Sequence, residues 1–275
     1  MPIYQVVVLA LIQALTEFLP ISSSGHLAVA PKLFGWEDPG LVFDIALHAG
    51  TLVAIFIYFF KDWIQLLGAG FGLKIGADPE LKKQPMMLWM IGLATIPLGL
   101  AGLVFGKQAE GAWRSPYVIG TMLILVGIFM WYADRGAIGK KDMGTMTWLD
   151  GVTIGISQAL AVVPGTSRSG ATITTGLLRG LTREAAARFS FLLSAPAILA
   201  AALKGGRDIQ KGGGIPHEMQ LPFALGAIIS GLVGVVVIAV FLKYLRSNSL
   251  MPFVYYRIVF GIIVIALAFF RVIAE

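Results

Sequence analysis

Six long apolar stretches constrain this chain more than any other feature of its sequence. They cover roughly 41–60, 86–106, 116–133, 184–204, 220–243 and 251–272. Runs of about 20 apolar residues with few charges have the length that an α-helix needs to cross the hydrocarbon core of a bilayer. Basic residues lie at or just past the ends of these stretches. The sequence therefore predicts an all-α integral membrane protein with six transmembrane helices.

The composition supports this prediction and excludes several other classes of protein. Of the 275 residues, 57% are hydrophobic and only 13% are charged, whereas soluble domains carry about 25% charged residues. The chain has no cysteine, which excludes disulfides and thiolate metal sites. Its net charge of +6 is better explained by membrane topology than by nucleic-acid binding, since basic residues set the orientation of membrane proteins.

Two further apolar regions are interrupted in the middle. Residues 2–34 contain "PISSSG" at 20–25, and residues 147–179 contain "PGTSRSG" at 164–170. Non-helical backbone at membrane depth is tolerated only where it is buried in protein or lines a water-filled cavity. We therefore predict two re-entrant helix–loop–helix hairpins whose loops line a cavity.

The two interrupted regions resemble each other in sequence. "IQALTEFLPISSSG" at 12–25 matches "SQALAVVPGTSRSG" at 157–170, and Gln13 corresponds to Gln158 at a separation of 145 residues. Each half of the chain then contains one hairpin and three spans. Because three is odd, the second half is expected to be inverted relative to the first. Such repeats place a site near the bilayer midplane, between the halves.

These patterns predict a single membrane domain over residues 1–275, with repeat halves at about 1–140 and 141–275. If the 61–85 loop is cytoplasmic, twelve basic residues lie on the cytoplasmic side and seven outside. That is the direction of the positive-inside rule. It predicts that both termini lie outside and that the first hairpin enters from there.

The first interrupted region concentrates polar side chains. Glu17 follows Gln13 by four residues, so that both lie on one helix face. A carboxylate in a membrane segment is costly and usually functional. The alternative is that Glu17 caps the loop by accepting backbone N–H groups. After Glu17, three hydroxyls and an imidazole lie around the predicted start of a helix near Gly25. They belong to Ser22, Ser23, Ser24 and His26.

The second interrupted region adds a cation to a similar loop. Arg168 lies among small polar residues, namely Thr166, Ser167, Ser169 and Gly170. A helix N-terminus attracts anions, and an arginine can hold a phosphate with two N–H groups. Together the two loops predict an oxyanion site with a nucleophile and a proton carrier. The alternative is a purely structural pair of turns.

Three other polar residues in the apolar segments allow two interpretations each. Asp44 and His48 lie one turn apart on the third helix, either facing the cavity or packed in the core. Arg257 lies inside the last span and either neutralises a phosphate or pairs with a carboxylate. The sequence pattern leaves both alternatives open.

The motifs resemble a known family. "QALTEFLPISSSGH", "PGTSRSGAT", "FSFLLSAP" and "PFVYYR" are similar to segments of the bacterial undecaprenyl pyrophosphate phosphatase family, which is linked to bacitracin resistance. The likeness covers nearly the whole chain. It implies an enzyme of the bacterial inner membrane that removes the terminal phosphate of undecaprenyl pyrophosphate at the periplasmic side. The product would be the carrier lipid used for peptidoglycan and other envelope polymers.

The residue types and spacing in the two loops suggest individual roles for this chemistry. We expect Ser23 as the nucleophile and His26 as its base, with Ser22, His26 or a water held by a metal on Glu17 as alternative nucleophiles. Arg168 would hold the pyrophosphate, and Glu17 would bind a divalent cation (Mg²⁺ or Ca²⁺) or orient His26. No organic cofactor is expected. The substrate-binding set comprises Gln13, Ser22, Ser24, Thr166, Ser167, Ser169, Gly170 and Arg257.

A second function and one further partner stay open at this point. Inverted repeats with broken helices are common in transporters, so a polyprenyl-phosphate transporter or flippase is the alternative function. The expected partners are the lipid substrate and the bilayer, with a homodimer left open.

Overall fold

The computed structural model describes residues 1–136 and 139–273, and these residues form α-helices with no β-strand. The helices are α1 (Ile3–Phe18), α2 (Ser23–Phe34), α3 (Leu41–Tyr58), α4 (Phe60–Gly70), α5 (Pro79–Lys83), α6 (Met87–Glu110), α7 (Pro116–Arg135), α8 (Trp148–Ala159), α9 (Arg168–Leu178), α10 (Arg183–Lys211), α11 (His217–Leu245) and α12 (Met251–Phe269). Short 3-10 turns occupy Ala112–Arg114, Met143–Thr145 and Leu160–Val162.

Six of these helices are long and apolar enough to cross a bilayer, namely α3, α6, α7, α10, α11 and α12. They coincide with the six predicted spans, so the predicted fold class is confirmed. The largest difference lies at the α10–α11 connection, because α10 continues to Lys211 and α11 already begins at His217. Glycine-rich sequence therefore did not prevent helix formation there.

The two interrupted regions are broken at corresponding residues. Ser22 has φ 78° and Ser167 has φ 67°, both in the left-handed region. Each serine is the N-cap of the following helix: the Ser22 hydroxyl accepts from the N–H of Gly25 and the Ser167 hydroxyl accepts from the N–H of Gly170. A serine cap offsets part of the cost of this backbone conformation. The same local structure thus recurs 145 residues apart, as the sequence match suggests.

Each broken pair folds back on itself. The ring of Tyr4 near the start of α1 lies 5.7 Å from the ring of Trp36, just after α2. In the second pair, the Nε of Arg179 after α9 donates to the Oδ1 of Asp150 in the first turn of α8, at 2.8 Å. The beginning and the end of each pair are therefore neighbours, as in a hairpin. Re-entry into the bilayer and inversion of the halves stay predictions.

The hairpins are packed into the bundle by close helix contacts. Helix α11 packs against α1 and α3, α12 against α7, and α8 against α6. Small residues permit this approach. A side chain at Gly50 would overlap the carbonyl of Ala227, and one at Gly155 would overlap the carbonyl of Ala94. The first helix of each hairpin is thus held by a long helix of the other half.

Candidate active site

The two broken loops meet at one carboxylate. The Nη2 of Arg168 donates to the Oε1 of Glu17 at 2.6 Å, and the hydroxyl of Ser23 donates to its Oε2 at 2.6 Å. Ser23 and Arg168 occupy equivalent positions in the two matched loops. Glu17 therefore binds one residue from each loop, and its side chain is only 5% exposed.

The Oε2 atom of Glu17 has two more neighbours. The Nε2 of Gln13 donates to it at 3.1 Å, while the Nε2 of His48 lies 3.4 Å away. Gln13 and Glu17 point the same way because they are one turn apart on α1. The side-chain oxygen of Gln13, Oε1, is buried and has no hydrogen-bond partner in the described residues.

A cavity of about 410 Å³ opens onto this carboxylate. Its polar end includes Ser23, His48 and Arg168, and its walls are apolar side chains from α6, α10 and the 3-10 turn that follows α8. Charged residues line the rest of the cavity, namely Asp44, Glu110, Arg114, Lys204 and Asp208. The cavity is thus polar where the loops meet and apolar along the helices, which suits an amphiphilic ligand.

An unused donor remains beside the cavity. The Nη1 of Arg168 is buried, and no hydrogen-bond partner for it exists within residues 1–136 and 139–273. A buried donor without a partner costs about 1–3 kcal/mol, and more when it is charged. An anionic oxygen in the cavity would remove this cost, since guanidinium groups bind phosphate through charge-assisted hydrogen bonds.

His26 lies apart from this cluster. Its Nδ1 is 2.7 Å from the carbonyl oxygen of Ser22 and its Nε2 is 2.7 Å from the hydroxyl of Tyr256. Its ring stacks on Phe260, with centroids 4.4 Å apart. Because both ring nitrogens are engaged elsewhere, the predicted contact between His26 and the Ser23 hydroxyl is wrong. The hydrogen bond of the Ser23 hydroxyl is accepted by Glu17. His26 instead supports the backbone of Ser22, which has a positive φ.

Arg257 also lies outside the cavity. It is fully buried and donates only to main-chain carbonyls in the described structure. These belong to Pro20 in the first loop, to Gly165 and Thr166 in the second, and to Met122 and Leu123 on α7. Neither predicted partner, phosphate or carboxylate, fits this arrangement. Arg257 instead ties the two loops to each other and to α7.

The other predicted binding residues divide into two groups. Ser24 and Ser167 line the cavity. Ser22, Thr166, Ser169 and Gly170 are buried behind it. The hydroxyl of Ser169, for example, donates to the carbonyl of Leu19 at 3.2 Å. This second group shapes the loops and does not face the cavity.

The side chains present do not form a Mg²⁺ or Ca²⁺ site of their own. Both ions prefer about six oxygen ligands. Within the part of the chain that the structure describes, no group of three His, Cys, Asp or Glu side chains is placed to hold a metal ion. Both oxygens of Glu17 already carry hydrogen bonds, one of them from the cation Arg168. A cation would therefore need most of its oxygen ligands from another molecule.

Sequence reasoning left His48 and Asp44 undecided, and it missed Arg114. The structure places all three along the cavity, where Arg114 lies 3.8 Å from Asp44. The spacing of four residues between Asp44 and His48 is the signal that puts them on one helix face. Only tertiary contacts show that this face is the one turned to Glu17.

Fold and site together define a polytopic α-helical membrane protein with a serine, a carboxylate and an arginine assembled by two broken-helix hairpins. The family described as bacitracin resistance protein BacA matches residues 6–263. An undecaprenyl-diphosphatase of Pelotomaculum thermopropionicum is 46% identical over 268 residues, covering 98% of this chain and 97% of the relative. One of Trichlorobacter lovleyi is 47% identical over 270 residues, covering 97% of each chain. The chain belongs to the bacitracin resistance protein BacA family.

Proposed function

We propose that this chain hydrolyses undecaprenyl diphosphate to undecaprenyl phosphate and inorganic phosphate. The observation that carries the proposal is the convergence of Ser23 and Arg168 on Glu17 from two separate loops. The names of relatives that are 46% and 47% identical over nearly the full length support the choice of substrate. This reaction recycles the carrier lipid for cell-wall synthesis.

The first step transfers the terminal phosphoryl group to Ser23. As the Ser23 oxygen bonds to the terminal phosphorus, its proton moves to Glu17, 2.6 Å away. The bond from that phosphorus to the bridging oxygen breaks, and undecaprenyl phosphate leaves. A serine hydroxyl needs such an adjacent base to attack. Protonation of Glu17 weakens its ion pair with Arg168, which frees the guanidinium to neutralise charge on the phosphoryl oxygens.

The second step releases the phosphate. Water attacks the phosphoserine, the bond from phosphorus to the Ser23 oxygen breaks, and Glu17 returns its proton to that oxygen. The same carboxylate thus acts first as base and then as acid. The apolar walls of the cavity would hold the isoprenoid units next to the diphosphate.

Phosphate release from undecaprenyl diphosphate by purified protein in detergent tests this proposal. We expect Ser23→Ala to lose nearly all turnover, because no other hydroxyl in the described structure donates to the carboxylate of Glu17. Ser24→Ala is the matched control, since Ser24 lines the same cavity without contacting Glu17, and a much smaller loss is expected. Lipid translocation without phosphate release would instead support a transporter or flippase.

We also propose that the chain lies in the bacterial inner membrane with the cavity open to the periplasm. The excess of basic residues near the opposite ends of the spans supports this orientation. Because the chain has no cysteine, Lys211→Cys and Lys74→Cys each give a unique label. A membrane-impermeant reagent should modify the first variant in intact cells and spare the second. We also propose that a homodimer can form, which light scattering on the purified protein in detergent would test.

The divalent cation is proposed as a ligand that the substrate brings. The diphosphate carries oxygens that Mg²⁺ and Ca²⁺ prefer, while the protein offers few near Glu17. Phosphate release after EDTA treatment, with each cation added back separately, measures this requirement.

A further inference from the structure

We infer that His48 is a further catalytic residue, which exchanges a second proton with the lipid phosphate and with water in the cavity beside Glu17. The inference rests on the proposed hydrolysis and adds a residue to it. The geometry that supports it is the position of the imidazole between a nearly enclosed carboxylate and an open cavity. The side chain of His48 is 28% exposed, whereas that of Glu17 is 5% exposed.

The tautomer of His48 follows from its neighbours. Its Nδ1 lies 2.7 Å from the carbonyl oxygen of Asp44. A carbonyl can only accept a hydrogen bond, so Nδ1 carries a proton. In the neutral ring, Nε2 is then an acceptor with a lone pair. That nitrogen is the atom that faces Glu17.

The contact with Glu17 requires one more proton. His48 Nε2 lies 3.4 Å from the Oε2 of Glu17, and an acceptor nitrogen opposite a carboxylate oxygen is repelled by it. A proton on either partner turns the contact into a favourable one. In this proposal the proton lies on His48, as an imidazolium beside the carboxylate.

His48 can also reach the reacting atoms. Ser23 Oγ and His48 Nε2 both contact the Oε2 of Glu17, at 2.6 Å and 3.4 Å. They are therefore at most 6.0 Å apart, the sum of the two distances. A phosphoryl group bound to Ser23 therefore lies within reach of His48.

The Nε2 proton of His48 leaves in the first step of the reaction and is regained in the second. When Ser23 attacks and gives its proton to Glu17, the carboxylate no longer holds the imidazolium, which donates its Nε2 proton to the departing lipid phosphate. When water attacks the phosphoserine, neutral His48 accepts the proton of that water, while Glu17 returns its own to Ser23. After one turnover both residues regain their starting states.

The test is phosphate release by purified His48→Ala in detergent, with His217→Ala as the matched control. His217 is exposed at the start of α11, so its loss should leave the rate unchanged. General acid–base catalysis contributes about 10²–10⁴-fold, and we expect His48→Ala to lose about 10²-fold in kcat. Free imidazole should enter the vacated space and restore part of the rate, without any effect on the control.

A second measurement separates catalysis from structure. If His48 activates water, its loss slows the second step, and phosphoserine should accumulate on Ser23 in acid-quenched His48→Ala. Mass spectrometry of the peptide that contains Ser23 detects it. A lower rate with neither rescue by imidazole nor accumulation would overturn the inference, as would an unchanged rate. Absence of phosphate release by the unmodified protein would refute the proposed function instead.

Discussion

Arg257→Lys tests whether this buried cation is a clamp between the loops or a ligand for phosphate. The guanidinium makes five contacts with main-chain carbonyls, at 2.9–3.3 Å. These carbonyls belong to three segments: the first loop, the second loop and α7. A lysine ammonium has three N–H donors at a single atom. It therefore leaves at least two of the five carbonyls without their partner.

The expected loss of stability follows from that count. Hydrogen bonds to charged groups contribute about 1.5–3 kcal/mol each, so two lost contacts reduce the free energy of unfolding by about 3–6 kcal/mol. A loss of this size lowers the melting temperature by on the order of 10 °C. Thermal unfolding in detergent, followed by tryptophan fluorescence, measures the change. Arg207→Lys, at an exposed position of α10, is the matched control and should melt like the unmodified protein.

Activity decides between the two roles of Arg257. A clamp that positions both loops affects kcat, because Ser23 and Arg168 lose their alignment on Glu17, and the melting temperature falls as well. A phosphate ligand affects mainly KM. If Arg257→Lys melted within a degree or two of the unmodified protein and only raised KM for undecaprenyl diphosphate, the clamp would be refuted.

Three further predictions concern the cluster around Glu17. Arg168→Lys should lower phosphate release about 10²-fold, since one ammonium cannot bind carboxylate and phosphate as the planar fork does; turnover equal to that of the unmodified protein would contradict this. Glu17→Gln should lose more activity than Gln13→Ala, because the carboxylate of Glu17 accepts the hydrogen bond of Ser23, and the reverse order would show that the base is misassigned. His26→Ala should lower the melting temperature together with activity, since the ring supports Ser22. Lost activity with unchanged melting would point to a direct role in proton transfer.

The six spans and the two interruptions could be derived from the sequence because the bilayer imposes a simple rule. Every backbone polar group must find its partner within the protein, so a run of about 20 apolar residues specifies a helix almost without regard to its neighbours. Pro, Gly and Ser within two of the apolar regions marked where that rule is broken. The prediction that the loops around Ser23 and Arg168 belong to one site rested on the same signal.

The sequence did not predict which side chains contact each other. Local spacing suggested that His26, three residues after Ser23, would take its proton. Helix α2 begins at Ser23, however, and the His26 ring turns back to the carbonyl of Ser22. The partner of Ser23 is Glu17, six residues earlier across the broken loop. A loop with left-handed φ at Ser22 redirects the chain in a way that helical spacing does not describe.

The sequence by itself determined that this is a membrane protein with six apolar helices of spanning length, two matched loops and a polar site between them, because hydropathy and helix breakers act locally. Only the tertiary structure decided which polar residues face the cavity. Arg257 reaches Gly165 and Pro20 across 92 and 237 residues, and His48 reaches Glu17 from another helix. Such contacts depend on how each helix is rotated and packed against its neighbours, and the small residues that permit the approach, such as Gly50 and Gly155, do not reveal their partners in the sequence.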